Sequence, residues 1–309
     1  MATRAVAVNR ATALHAKRIR WGEVGIKALL AFAALVSIAT TIGIVAALLE
    51  PAIAFFREVD VLDFVTGTTW APLFEPGEFG VVPLLIGTLS VTIWACAVAL
   101  PLGLGAAIFI SEYAGARTRQ ILKPALETLA AIPTVVYGFF GLIFVTPLLR
   151  DIGIGVSFFN ALAAGLVIGV MILPTVASLS EDAMTAVPPS LREAAYAVGA
   201  NKLQVSTRVV VPAAVSGIVA SLVLGLSRGV GETMIALLVA GTLPSLSFDP
   251  RAQVETMAAF IAAAGQGDVP AGSVEYKTIF AVGLTLFVVT FAFKVLAIRL
   301  VRAYREVYE

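Results

Sequence analysis

The chain has 309 residues, of which 59% are hydrophobic and 13% are charged. Soluble domains usually carry about 25% charged residues, so this composition argues against a soluble globular protein. The formal net charge of +1 says little by itself. One cysteine and one histidine allow neither a disulfide within the chain nor a thiolate metal site. We therefore expect no metal, no cofactor and no nucleic-acid partner.

Six apolar stretches are long enough to cross a bilayer. A helix needs about 20 apolar residues to span a hydrocarbon core about 30 Å thick. The runs are continuous rather than alternating, which favours helices over the strands of a barrel. The predicted spans cover residues 26–49, 84–110, 126–149, 157–179, 213–242 and 278–300. The sequence therefore predicts an all-α membrane protein with six transmembrane helices, the third kinked at Pro133.

The basic residues predict the orientation, because Lys and Arg are enriched in cytoplasmic loops. Most of them lie in the two terminal tails and in the loops after the second and fourth spans. The opposite side has only Arg57, Arg150, Arg251 and Lys277. Both termini are therefore predicted to be cytoplasmic, with residues 1–25 as a basic tail and residues 26–309 as the transmembrane domain. The first apolar stretch exceeds the 7–15 residues of a signal peptide, so we interpret it as an uncleaved anchor.

The loop over residues 180–212 is long and has the pattern of a helix. Ser190 and Glu193 have the spacing of a capping box, and Gly199 suits a left-handed helix cap. Apolar residues recur between them at helical spacing, namely Leu191, Ala194, Ala195 and Val198. We predict a short amphipathic helix over residues 190–198. Such a helix is unstable alone in water, so its apolar face needs the membrane surface, its own bundle or another protein.

This loop resembles the coupling loop of the ABC importer permeases, which has the form E-A-A-x3-G-x9-I-x-L-P. The sequence reads Glu193-Ala194-Ala195, then Gly199, then Val209-Val210-Val211-Pro212, with valine at the two aliphatic positions. The resemblance implies a type I permease core over about residues 84–300. It also implies that the short helix docks on a separate ATPase subunit.

The fifth predicted span contains two charged residues, Arg228 and Glu232. An arginine at mid-membrane costs about 3 kcal/mol or more and usually faces the bundle interior or a water-filled path. Small residues share its predicted helix face, namely Gly217, Ser221, Gly225 and Ala236. One interpretation is an intrahelical ion pair that only specifies packing. In the other, Arg228 lines a path for an oxyanion, while Glu232 holds it in place and weakens anion binding enough for release.

The segment around this pair, SRGVGETM over residues 227–234, resembles the R-x-x-G-E-T-M signature of the PstC family of phosphate permeases. Further likeness lies at residues 66–72, 109–114 and 131–138, and the whole resemblance covers about residues 60–300. It implies import of inorganic phosphate by alternating access, with Arg228 and Glu232 in the phosphate path. Thr134, Tyr137 and Thr233 are further candidate donors in that path, with ordinary helix packing as the alternative.

The resemblance also implies partners. They are a homologous PstA-like permease as heterodimer partner, two copies of a PstB-like ATP-binding subunit, a periplasmic PstS-like phosphate-binding protein and membrane lipid. The chain has no G-x-x-x-x-G-K-[ST] loop of its own, so we expect a channel-forming subunit and not an enzyme, in the inner membrane of a bacterium. The alternatives are a permease for another oxyanion such as molybdate or sulfate, a transporter driven by an ion gradient, and a membrane-embedded enzyme.

Overall fold

A computed structural model describes the chain over residues 21–267 and 269–303. Its helices are α1 (Trp21–Phe55), α2 (Val61–Thr66), α3 (Val82–Ile108), α4 (Ala116–Ala130), α5 (Thr134–Phe140), α6 (Thr146–Asp151), α7 (Ala161–Thr185), α8 (Pro189–Ala197), α9 (Lys202–Val205), α10 (Val211–Ala213), α11 (Val215–Val230), α12 (Met257–Gln266) and α13 (Val274–Ala303). Wider π-helical turns occupy Phe109–Tyr113, Gly141–Val145, Ser206–Val210 and Ala236–Ala240. Strands β1 (Trp70–Ala71) and β2 (Glu78–Phe79) form an antiparallel hairpin.

The chain divides into two compact units, residues 1–48 and residues 49–309. Helix α1 runs through the boundary, and its segment Glu23–Phe55 is apolar enough to cross a membrane. The first predicted span is therefore confirmed. Most of the predicted basic tail lies outside the described residues, as does the chain after residue 303. The cytoplasmic placement of both termini and the domain boundary at residue 26 stay predictions.

The described residues contain five helices that are long and apolar enough to cross a membrane, and six candidates if one bent pair counts as a single span. The other straight candidates are Val82–Tyr113, Thr134–Asp151, Ala161–Thr185 and Val274–Arg299. The prediction of an all-α membrane protein with six spans is confirmed, although two spans are less regular than the hydropathy indicated.

Pro133 separates two helices rather than kinking one. Helix α4 ends at Ala130, and Pro133 has φ −59° and ψ 138°, which is an extended conformation. Proline lacks the amide hydrogen that would continue the helical hydrogen bonds, so the third span begins at Thr134 and not at residue 126. The Tyr137 hydroxyl bridges the break by donating a hydrogen bond to the Leu129 carbonyl at 2.8 Å.

The fifth predicted span is not one straight helix. The helical segment Lys202–Ala213 and helix α11 meet at a bend of 73°. Helix α11 then ends at Val230, and Gly231 follows with φ −89° and ψ 2°. Glycine is among the poorest helix formers, so two glycines around Val230 favour an end there. Glu232 consequently lies beyond α11.

Helices α3, α7 and α11 pack closely because glycines face the Val176 side chain of α7. A Cβ atom at Gly103 of α3 would lie 2.8 Å from Val176 Cγ1, and a Cβ at Gly225 of α11 would lie 2.8 Å from Val176 Cγ2. The buried hydroxyls of Ser180 and Ser221 share a hydrogen bond of 2.6 Å between α7 and α11. Small residues and hydroxyl pairs are the usual means of close helix packing in membranes. Helix α7 is thus fixed to both neighbours.

Candidate functional site

Arg228 lies in the last turn of α11 with an exposed side chain. Its Nη1 donates a hydrogen bond to Thr175 Oγ1 of α7 at 3.2 Å. Within the part of the chain that the structure describes, the ion pairs join other residues, and none includes Arg228. The guanidinium therefore keeps N–H donors that can bind an oxyanion through paired hydrogen bonds.

Glu232 does not pair with Arg228. Its Oε1 accepts hydrogen bonds from the backbone amides of Met234 at 3.1 Å and Ile235 at 3.2 Å. A carboxylate in this position caps the start of the following helical segment. Two expectations are therefore wrong, the intrahelical ion pair that only specifies packing and the alternative in which Glu232 holds Arg228 in place, because α11 ends before the turn that would have brought the two side chains together.

The small residues predicted on the Arg228 face pack against α7. Gly217 lies against Ala183, and Ser221 and Gly225 contact Ser180 and Val176 as described above. Only Arg228, at the end of this stripe, has an exposed side chain among the four stripe positions of α11. The stripe therefore serves helix packing and carries the arginine to the end of α11.

The candidates after the Pro133 break have different environments. Tyr137 is buried, and its hydroxyl donates a hydrogen bond to the Leu129 carbonyl. Thr134 begins α5 and is half-buried. The Thr233 hydroxyl donates to the Gly231 carbonyl at 3.2 Å. Of these candidates and their neighbours, Arg228 and Thr175 come into direct contact, between α7 and α11.

Sequence reasoning missed Thr175. Its one local signal was a hydroxyl directly after Pro174 in an otherwise apolar stretch. Such a hydroxyl can satisfy its own helix, and nothing in the sequence indicated that it would contact Arg228, which is 53 positions away along the chain.

The predicted cytoplasmic helix is present as α8, but it starts differently. Pro188 occupies the capping position without a side-chain hydrogen bond, and Pro189 is the first helical residue. Ser190 therefore lies inside the helix, and the predicted capping box is wrong. Gly199 has φ +84°, as the left-handed cap requires.

A capping box is found at the next helix instead. Asn201 Oδ1 accepts from the Gln204 amide at 2.9 Å, and Gln204 Oε1 accepts from the Asn201 amide at 2.9 Å. Two amides at the start of α9 are thereby satisfied. The sequence pattern predicts a second helical stretch here but not this motif.

Helix α8 has two distinct faces. Leu191 and Ala195 pack against an apolar cluster of their own bundle, made by Ala107, Met184, Val187, Val205, Val210, Ala214 and Ile218. Glu193 and Ala194 are exposed, and Val198 is 86% exposed. The single apolar face predicted from the sequence is therefore divided, since Ala194 and Val198 lie away from the cluster. Helix α8 is anchored on one side and free to be contacted on the other.

The α4 helix is tied to α7 by charged side chains near α8. Lys123 Nζ lies 2.7 Å from a Glu181 carboxylate oxygen and 2.7 Å from an Asp182 oxygen, and Arg119 Nη2 lies 3.6 Å from Glu181. Hydrogen bonds to Asp182 and then to Glu181 raise the pKa of Lys123. The cluster fixes the end of α7 from which α8 projects.

A buried acid that the sequence did not single out is Glu255, in the loop before α12. Its side chain is 5% exposed, and it lines a cavity of about 300 Å³ with Trp70 and Phe260. Burial raises the pKa of Glu255 to about 8. The Trp70 indole nitrogen, also buried, has no hydrogen-bond partner in the described part of the chain. The residues that line this cavity do not include Arg228.

Residues 99–306 match the protein family described as binding-protein-dependent transport system inner membrane component. The chain belongs to this family. It is a multi-pass inner-membrane protein, and its relatives are permease subunits of transport systems.

Two relatives illustrate the similarity within the family. The chain is 38% identical over 252 residues to the probable ABC transporter permease protein YqgH of Bacillus subtilis, covering 81% of this chain and 80% of that protein. It is 33% identical over 247 residues to the phosphate transport system permease protein PstC of Mesorhizobium japonicum, covering 74% of each. The resemblance to PstC indicated by the GETM segment is confirmed.

Two solved transporters have the same fold. A permease chain of a bacterial importer of the acidic polysaccharide alginate has a TM-score of 0.62 at 19% identity, covering 93% of this chain and 99% of that chain. A chain of the inward-facing MetNI methionine transporter has a TM-score of 0.56 at 20% identity, covering 74% of this chain and 95% of that chain. At these identities the likeness concerns the fold, which is that of type I ABC importer permeases.

Proposed function

We propose that the chain is the permease subunit of an ATP-driven importer that moves inorganic phosphate into the cytoplasm by alternating access. The observation that carries this proposal is the exposed Arg228 guanidinium at a helix end within the bundle, without a carboxylate partner among the described residues. A charged arginine within a bilayer is costly and is retained where it serves a polar path. The similarity to permeases named for phosphate transport favours phosphate as the oxyanion.

In this mechanism Arg228 binds the passing phosphate transiently. Thr175 orients the guanidinium through its 3.2 Å hydrogen bond. Thr134 is the proposed further donor in the path, and Tyr137 and Thr233 donate to phosphate only when their hydroxyls release the Leu129 and Gly231 carbonyls. Glu232 holds the backbone after α11, and its negative charge near the path weakens phosphate binding so that release is fast.

The energy in this proposal comes from separate subunits. The exposed side of α8, with Glu193 and Ala194, docks on an ATP-binding subunit of the PstB kind, of which two copies hydrolyse ATP. Ala195 and Gly199 fix the shape of α8, and Pro212 lies at the bend before α11. A homologous PstA-like permease completes the path through the lipid bilayer. A periplasmic phosphate-binding protein delivers the substrate, as a periplasmic protein accompanies the alginate transporter that shares this fold.

The test is uptake of radiolabelled phosphate in a strain lacking the subunit, with and without this chain restored. Unlabelled phosphate should compete, whereas sulfate and molybdate should not. Uptake should also require an ATP-binding subunit with an intact P-loop lysine. Stronger competition by another oxyanion would reassign the substrate, and uptake that persists with the inactive ATP-binding subunit would favour a transporter driven by an ion gradient.

A further inference from the structure

Arg192 and Glu112 form an ion pair between α8 and the end of α3. Arg192 Nη2 lies 3.0 Å from Glu112 Oε1, and the two side chains are 20% and 6% exposed. Arg192 also donates to the backbone carbonyls of Val187 at 2.6 Å and Met184 at 2.8 Å. Arg192 therefore points into its own bundle, whereas the adjacent Glu193 is exposed.

A second contact joins the segment after α8 to the same end of α3. Glu112 and Tyr113 belong to the π-helical turn Phe109–Tyr113 that follows α3. The Lys202 ammonium of α9 lies 4.9 Å from the centre of the Tyr113 ring, a cation–π distance. Arg192 before Gly199 and Lys202 after it thus both contact the π-helical turn that follows α3.

The ion pair resists separation because it is largely buried. Removing one member of a buried pair leaves the other charge without compensation, which is strongly unfavourable. Separating α8 from α3 would break this charge-assisted hydrogen bond and leave the Glu112 carboxylate, which is 6% exposed, without its cationic partner. A displacement of α8 is transmitted to α3 instead.

Helix α3 is in turn closely fitted to α7 along its length. A Cβ atom at Gly169 of α7 would lie 2.9 Å from Val98 Cβ of α3, and the Gly103 contact with Val176 lies farther along the same interface. Close-packed interfaces of this kind move as units rather than deform continuously. Helix α7 carries Thr175, which contacts Arg228.

We propose that Glu112 and Arg192 are positioning residues that fix α8 to α3, so that displacement of α8 moves α3 together with α7, whose Thr175 contacts Arg228. This inference rests on the proposed function, in which α8 docks on an ATP-binding subunit. The pair contacts neither phosphate nor ATP. Its role is to convert the movement of a surface helix into movement of the helices around the arginine site.

The experiment uses the complete transporter in proteoliposomes, with its binding protein and phosphate, and measures phosphate imported per ATP hydrolysed. Glu112→Gln keeps the size of the side chain and removes its charge. We expect this variant to assemble normally. Its ratio of phosphate imported to ATP hydrolysed should fall at least about 5-fold, which is the lower end of the coupling measured between distant sites. Lys277→Gln is the matched control, since it breaks another ion pair, Lys277–Glu58 at 2.6 Å, and should leave the ratio unchanged.

A double-mutant cycle tests whether the two residues act as a pair. Because Arg192→Ala already removes the interaction, adding Glu112→Ala should lower the ratio no further. An unchanged ratio in Glu112→Gln, or fully additive losses in the cycle, would overturn the proposal. If the pair were only a stabilising contact, its loss would lower the Tm of the complex without changing the ratio of phosphate imported to ATP hydrolysed. Tm and co-purification are therefore measured on every variant.

Failure of the proposed function gives a different result. If the unaltered complex imports no phosphate, the substrate assignment is wrong, and stimulation of ATP hydrolysis by the binding protein becomes the measure of the ion pair. In that case an equal stimulation in the unaltered and Glu112→Gln complexes would overturn the pair's role. A reduced stimulation would support it.

Discussion

The Arg228 guanidinium of α11 is hydrogen-bonded to the Thr175 hydroxyl of α7 at 3.2 Å, and this contact joins the charged end of one helix to the helix at the centre of the bundle. Thr175 is half-buried and Arg228 is exposed. The hydrogen bond fixes the orientation of the guanidinium and leaves its other N–H donors available.

Arg228→Gln should lower phosphate uptake about 10-fold to 100-fold, because charge-assisted hydrogen bonds contribute about 1.5–3 kcal/mol each. Uptake and co-purification with the ATP-binding subunit are measured together, since assembly should be unaffected. Arg251→Gln, which removes an exposed arginine paired with Asp249, serves as the control. Arg228→Lys should retain part of the uptake, and full uptake in that variant would show that paired hydrogen bonds are unnecessary.

Thr175→Val should lower uptake by about 10-fold or more, because the hydrogen bond that it removes has a charged guanidinium as its donor and such bonds contribute about 1.5–3 kcal/mol. The substitution keeps the volume of the side chain, so the α7 packing should persist and the Tm should change little. Thr207→Val is the matched control, since that exposed hydroxyl bonds only the Leu203 carbonyl of its own helix. Equal uptake in the two variants would show that Thr175 does not orient Arg228.

Glu193→Arg should detach the ATP-binding subunit or abolish stimulation of ATP hydrolysis by phosphate-loaded binding protein. The reversed charge lies on the exposed side of α8, so α8 itself should still pack through Leu191 and Ala195. The measurement is co-purification followed by ATPase assay. Glu127→Arg, on the exposed surface of α4, should behave like the unaltered chain, and normal coupling in Glu193→Arg would contradict the docking assignment.

Glu255→Gln should stabilise the folded protein at alkaline pH. Burial raises the folded-state pKa of Glu255 from 4.5 to about 8, so between these values the unfolded chain releases a proton that the folded chain keeps. Stability therefore falls as the pH rises through this window. The variant should gain on the order of 1–3 kcal/mol at pH 8 and nothing at pH 4. Thermal unfolding in detergent at several pH values measures this, and Glu78→Gln, an exposed carboxylate, should keep the original profile.

The sequence was sufficient for features that depend on local composition. Hydropathy located the apolar spans, and the pattern of the loop over residues 180–212 located α8 and its Gly199 cap. The end of α11 was missed because apolar residues continue past Val230 and hydropathy does not register a change of backbone direction. The capping box at Ser190 failed because Pro189 takes the first helical position.

The contacts that define the candidate site depend on residues far apart in the chain. Thr175 meets Arg228 only when α7 and α11 pack, and Glu112 meets Arg192 only when α8 packs against the turn after α3. Glu255 was missed as well, because nothing in its local sequence indicated that it would be buried. A single sequence does not show which residues far apart in the chain will come into contact.

Val176 contacts glycines on α3 and α11 at once, so the two interfaces of α7 share one branched side chain. Valine has one strongly preferred side-chain rotamer in a helix, and it is therefore unable to turn away from one neighbour without pressing on the other. Rotation of α3 about its long axis would therefore change how α11 packs against α7. At this depth, the spacing of three helices therefore depends on the position of a single isopropyl group.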